Sequence, residues 1–320
     1  MPATAQDSFG ADDYVAALTA SNMADRPLSV HLRLPLCGGG AAREDTGMGA
    51  FGVGLARLDR EMVLIRRCLS AGRRIQALHW EGHALPGMSL AQMSELADRL
   101  EARFALDTSG DRDFIVELAP RATDVFALRH LQALGFNRLK LMLPFVTGRR
   151  VTSPSHWARR VEPLLDETQR VGWHSLELVH TIGPWCQSRH TLLEILLTLG
   201  AMAPPRITLR PSGTLSSLQW HHALNAADAL LLARGYGLLG PGAYARRGGA
   251  LEDALEQARR ETVRDRLGLG TGGVSRLPDA EARNTRNAMA YAAALDAGRL
   301  ATATGNWHRA DEDSQAAAPS

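Results

Sequence analysis

"FIVELAPRATDVFALRHLQALGFNRLKLMLP" (residues 114–144) changes its periodicity twice in a single stretch. Residues 114–120 form an apolar run broken by Glu117 and read as a strand. Residues 123–135 space their apolar side chains for a helix, and Gly135 supplies the stop. Residues 137–144 alternate again and read as a second strand. Strand, helix and strand in this order predict a β–α–β unit with parallel strands.

The same rhythm extends in both directions. Strands are predicted over 28–36, 75–80, 174–180 and 205–211. Helices are predicted over 56–72, 89–104, 155–172, 189–201 and from about Ser217 to Gly235. Ser89 with Gln92 makes a capping box at one start. Pro163 is expected to bend or split the helix that contains it. Six strand–helix units in succession define an α/β chain, either a βα barrel or a doubly wound sheet. In both, sites form where the C-terminal ends of the strands meet the loops.

Composition narrows the function classes. The chain has 320 residues, 45% of them hydrophobic but only 5% aromatic, so its core must be aliphatic. A net charge of +2 gives no basic surface to imply nucleic acid. Three cysteines, Cys37, Cys68 and Cys186, are too few and too scattered for a disulfide framework and suit a reducing cytoplasm. The polar start resembles no signal peptide, and no apolar run is long enough to span a membrane. Residues 1–27 are expected to be flexible, with a short helix near "DYVAALTA", and residues 301–320 to be a disordered tail.

Several constellations invite chemistry. Cys37 follows the first strand directly, where a ligand or nucleophile would stand; a free cysteine acting as a small hydrophobe is the plainer alternative. "GMGAFG" (47–52) spells G-x-G-x-x-G but lies a full loop beyond its strand, so a flexible loop is expected there. His79 and His83 are four apart, yet one belongs to a strand and the other to a loop. His221 and His222 are adjacent in a helix and face different ways. Neither pair predicts a metal site. Glu117 is an acid within an apolar strand and needs a partner, a ligand hydroxyl or an arginine. Lys140 is the only lysine, so any imine chemistry would rest on it.

A family resemblance gathers these pieces. "LRLPLC" (32–37), "LHWEGHALP" (78–86), "VELAP" (116–120), "LGFNRLKL" (134–141), "GWHSLELVHTIGP" (172–184), "GYGLLGPGAYAR" (235–246), "RLGLGTGGVS" (266–275) and "NTRNAMAYAAALDAG" (284–298) occur in order. Together they resemble the oxygen-independent coproporphyrinogen III oxidases and the related radical-SAM heme chaperones. The resemblance implies an open (β/α)6 partial TIM barrel of radical-SAM type over residues 28–230. A small C-terminal α+β subdomain would follow over 231–300. It also implies a [4Fe–4S] cluster on C-x-x-x-C-x-x-C, S-adenosylmethionine as co-substrate and oxidative decarboxylation of coproporphyrinogen III.

The departures from the family pattern are selective. If Cys37 is the first cluster cysteine, Ala41 and Glu44 hold the other two positions. Glu81 and His83 replace two of three glycines, leaving Gly82. Gly82 and Glu117 are then residual positions of the S-adenosylmethionine site, and Cys37 is the sole remaining cluster-type metal ligand. The expectation is a catalytically silent relative in heme metabolism without cluster or S-adenosylmethionine. It would bind a porphyrin or a partner protein, with heme as an allowed ligand. The alternatives are an interaction or regulatory protein without a ligand, and a non-radical lyase or aldolase using Lys140 and Glu117.

Overall fold

The computed structural model describes residues 9–33, 48–81, 88–144, 154–184 and 189–308. In chain order the elements are α1 (Ala11–Ser21), β1 (Leu28–Arg33), α2 (Met48–Cys68), β2 (Arg74–Glu81), α3 (Leu90–Arg103), β3 (Ala105–Leu106), β4 (Asp113–Leu118), α4 (Val125–Ala133), β5 (Arg138–Met142), α5 (Pro154–Val171) and β6 (Ser175–Ile182). There follow α6 (Arg189–Met202), β7 (Arg206–Pro211), α7 (Ser217–Ala233), β8 (Tyr236–Gly240), β9 (Ala243–Arg246), α8 (Gly249–Thr262), β10 (Asp265–Leu269), β11 (Val274–Leu277), β12 (Ala280–Asn284), α9 (Ala288–Asp296) and β13 (Thr302–Trp307). The six expected strand–helix pairs are present, beginning at β1, β2, β4, β5, β6 and β7.

The chain divides into two compact units, residues 1–112 with 263–320, and residues 113–262. This division differs from the expected boundary between residues 230 and 231. The C-terminal strands continue the sheet of the first strand: β10 runs parallel to β1, and β11, β12 and β13 follow antiparallel.

In the first unit the sheet order is β13-β12-β11-β10-β1-β2, with the short β3 beside β2. Alternation gives this sheet two unlike faces. Val30 and Leu32 of β1 stand level with Leu78 and Trp80 of β2 and with Leu267 and Leu269 of β10, and all are buried. Each such aliphatic side chain contributes roughly 1.5–3 kcal/mol by leaving water. The opposite face carries Ser29, His31, His79, Glu81 and Arg266.

Three expectations for this unit are revised in whole or in part. Within the stretch expected to be flexible through residue 27, the short helix expected near "DYVAALTA" is α1, and its Tyr14 and Leu18 are buried. The Tyr14 hydroxyl meets Ser275 Oγ at 2.6 Å, so α1 is tied to β11. The G-x-G-x-x-G stretch, expected to be a flexible loop, instead opens α2 from Met48 onward. Its glycines cost the helix roughly 1 kcal/mol each. Buried Leu55, Leu58, Met62 and Ile65 further along α2 supply the offsetting packing. Residues 302–307 of the expected tail form β13, paired with β12. Residues 309–320 lie outside the described residues.

In the second unit the order is β4-β5-β6-β7-β9-β8, parallel from β4 to β7 and antiparallel at β9 and β8. Leu139, Leu141, Leu176, Leu178, Ile207 and Leu209 make one buried face. Pro163 does not split α5, which is continuous across it. Pro163 and Arg159 are exposed, so water can satisfy the carbonyl that the missing N–H leaves open.

Candidate functional site

The polar face of the first unit gathers its side chains at the C-terminal ends of β1 and β2. His31 pairs in register with His79, and Arg33 with Glu81. His31 Nδ1 lies 2.8 Å from Glu81 Oε1, and His79 Nδ1 lies 3.3 Å from the same oxygen. His31 Nε2 meets Ser29 Oγ at 3.0 Å, and the two imidazole rings stand edge to face at 5.1 Å. Arg266 Nη2, from β10, comes within 3.5 Å of Glu81 Oε1. Desolvation alone would raise the Glu81 carboxyl. The His31 hydrogen bond and the neighbouring charges of His79, His31 and Arg266 outweigh it and hold the pKa down to about 2.

A cationic turn borders these residues. Gly272 has φ of +67°, and a methyl group placed on it would stand 3.1 Å from Arg286 Cγ and 3.5 Å from Arg33 Nη1. The two exposed arginines therefore bracket one turn. Glu61 of α2 fixes the same turn from behind. Its carboxylate accepts hydrogen bonds from the Gly270 N–H, the Tyr291 hydroxyl and the Asn284 amide. Burial pushes its pKa up to about 7 against the pull of those donors.

The polar face of the second unit holds one rung of alternating charge. Glu117, Lys140, Glu177 and Arg206 are in register across β4, β5, β6 and β7. Lys140 Nζ stands 3.5 Å from Glu177 Oε2, so its charge is engaged in a cross-strand ion pair. Glu117, 9% exposed, belongs to this rung. At the N-terminal ends of the strands, Asp253 of α8 takes both Nη atoms of Arg138 at 2.7 Å and also binds Arg206 and His174.

His180 of β6 is a different case. It is 1% exposed and stacks on Trp157, and neither ring nitrogen has a hydrogen-bond partner among the described residues. Burial lowers its pKa to about 4. A base held neutral in this way favours the folded state above its ordinary value of 6.5, and that contribution fades as pH falls towards 4. The shift corresponds to about 3 kcal/mol. His180→Leu is therefore expected to flatten the loss of thermal stability between pH 6.5 and 4. An unchanged acid limb in thermal melts would contradict this.

The sequence-level candidates divide as follows. Cys37, Gly82 and His83 lie outside the described residues. Glu117 and Lys140 are brought side by side. His79 meets His31 and Glu81 rather than forming a pair within its own segment. His31, Glu81 as a charged partner, Glu61 and His180 were not candidates in the sequence. His31 and His79 become neighbours only through the register of two strands 48 residues apart.

An α/β chain of six such strand–helix units, with polar residues converging at strand ends, has the fold of the radical-SAM enzymes. The structure of coproporphyrinogen III oxidase from Escherichia coli, described as a radical SAM enzyme, aligns with a TM-score of 0.79 at 22% identity. That alignment covers 96% of this chain and 78% of the other. The oxygen-independent coproporphyrinogen III oxidase of Pseudomonas aeruginosa is 23% identical over 334 residues, 93% of this chain and 72% of that protein. The Escherichia coli protein of the same name is 24% identical over 330 residues, covering 91% and 70%. No family model matches the chain. The chain is thus similar to the oxygen-independent coproporphyrinogen III oxidases over most of its length. No described helix is long and apolar enough to cross a membrane.

Proposed function

We propose that this chain is a catalytically silent relative of those oxidases that binds a porphyrin in the heme metabolism of the cytoplasm, without radical chemistry. The donor set carries the reading. A cluster with an open iron needs three thiolates close together, and the segment from Cys37 to Glu44 offers one. Cys68 lies on α2, where its thiol donates to its own helix at Leu64 O. The Glu81 side chain stands at the end of β2, where the family resemblance has a glycine. The residues present do not fit a [4Fe–4S] cluster.

Porphyrin binding needs little more than a cationic rim and an open face. Arg33 and Arg286 suit the propionates, since guanidinium and carboxylate form paired, charge-assisted hydrogen bonds. Cys37 or a histidine would serve as axial ligand if the porphyrin carries iron. Absorbance titration with coproporphyrin and with heme tests this directly. The expected result is a saturable Soret shift, weakened roughly 10- to 100-fold in the Arg33→Ala/Arg286→Ala variant, as loss of charged hydrogen bonds implies. A flat titration with both ligands would overturn porphyrin binding and leave the interaction protein.

A further inference from the structure

His31, His79 and Glu81 each offer one ligand-type atom, and these atoms all lie within 4.8 Å of one another. We propose that these three residues bind a divalent transition-metal ion of the zinc or ferrous class, separate from any cysteine-held cluster. The donor atoms are His31 Nδ1, His79 Nδ1 and a Glu81 carboxylate oxygen.

The spacing fits. Ligands at roughly 2.0–2.2 Å around a four-coordinate ion stand about 3.3 Å apart. The His79 and Glu81 atoms are 3.3 Å apart, and the 2.8 Å between His31 and Glu81 needs only slight widening. The surroundings fit as well. With an ion bound at Nδ1, His31 would give up its hydrogen bond to the carboxylate and donate Nε2–H to Ser29 Oγ. A second, outer hydrogen bond of this kind fixes the tautomer of a metal-bound imidazole. Two imidazole nitrogens directed at one carboxylate oxygen call for positive charge between them, which a metal ion supplies without a proton.

The chemistry narrows the ion. Two imidazoles and one carboxylate favour zinc or ferrous iron over calcium or magnesium, which prefer oxygen alone. Three protein ligands leave at least one position open. Arg266, 3.5 Å from Glu81, sets a cation beside that position and suits an anionic exogenous ligand. The side chains are 12%, 10% and 23% exposed, so the site is sheltered yet reachable.

Cobalt(II) is the probe, because its d–d absorption reports nitrogen and oxygen coordination. The full chain is expected to bind one equivalent of Co2+ with d–d bands that zinc abolishes. The bands should persist in the Cys37→Ser/Cys68→Ser/Cys186→Ser variant. His79→Ala and Glu81→Gln should each weaken binding at least tenfold. Proton NMR of the cobalt form of the unsubstituted chain should show exchangeable, hyperfine-shifted resonances from two imidazoles, a readout that does not depend on any variant folding. Absence of d–d absorption would overturn the site. So would bands that vanish with the cysteines, or affinity unchanged in both ligand variants. Porphyrin titration reads the arginine turn, so failure of one reading leaves the other standing.

Discussion

Glu61→Ala is expected to cost about 3–6 kcal/mol, enough to consume much of a typical domain's stability. The truncation leaves three buried donors without their acceptor: the Gly270 N–H, the Asn284 amide and the Tyr291 hydroxyl. Each orphaned donor costs about 1–3 kcal/mol. The melting temperature should drop by roughly 6–12 °C, at about 2 °C per kcal/mol in a chain of this size. The turn bracketed by Arg33 and Arg286 should loosen as well, because Gly270 is fixed by Glu61.

The pH dependence separates this role from simple packing. The Glu61 pKa is raised from 4.5 to about 7 in the folded chain. Its protonated form therefore favours folding fully below pH 4.5, and that contribution is lost as pH rises through 7. Glutamine keeps the shape without titrating, though its amide must face that of Asn284. Denaturant titrations should show a larger penalty for Glu61→Gln at pH 5 than at pH 8. A penalty independent of pH would contradict the assignment.

Asp253→Ala should be nearly as damaging, at about 3–5 kcal/mol. It takes from Arg206 its carboxylate partner, leaving Gln257, and from Arg138 one of its two, leaving Asp113; these side chains are 10% and 5% exposed. Desolvation opposes the Asp253 charge, but the hydrogen bonds of Arg138 and His174 and the charges of Arg138 and Arg206 hold its carboxyl well below the usual range. Its contribution is thus present above pH 3.8 and lost as pH falls below that value. Chemical denaturation at pH 7 measures the cost. Adding Arg206→Met to the variant should recover part of it, since an apolar side chain replaces an unpaired buried charge. Additive losses in the double variant would contradict a shared network.

These two acids also show where the sequence stops being informative. The six strand–helix units were legible because alternation and helical spacing are local, and caps such as Ser89 with Gln92 are written in four residues. Glu61, by contrast, sits between Arg60 and Met62 and reads as one more charge on an amphipathic helix. Its burial comes from α9 and the β10–β11 turn, more than 200 residues away. Asp253 likewise looks like a solvent-facing acid on α8. The register between β1 and β2 set His31 beside His79, and linear spacing between two histidines cannot reveal that. The glycine-rich stretch that opens α2 misled in the other direction, because local propensity suggested a loop where packing sustains a helix.

The same logic orders the functional account. Within the segments that carry the resemblance, Arg138 and Tyr291 have long-range structural partners, Arg138 in Asp113 and Asp253 and Tyr291 in Glu61. At Gly268 a side chain would meet Val274 backbone at 2.2 Å. The resemblance puts its departures at Ala41 and Glu44, where cluster cysteines would stand, and at Glu81, where a glycine would. The proposed loss of radical chemistry would leave the core untouched, because no core contact among the described residues depends on a cluster.

Anaerobic reconstitution with iron and sulfide, followed by incubation with S-adenosylmethionine and reductant, tests the central claim most directly. The expected outcome is no stable [4Fe–4S] absorbance and no 5′-deoxyadenosine. A stable cluster that cleaves S-adenosylmethionine would contradict the account.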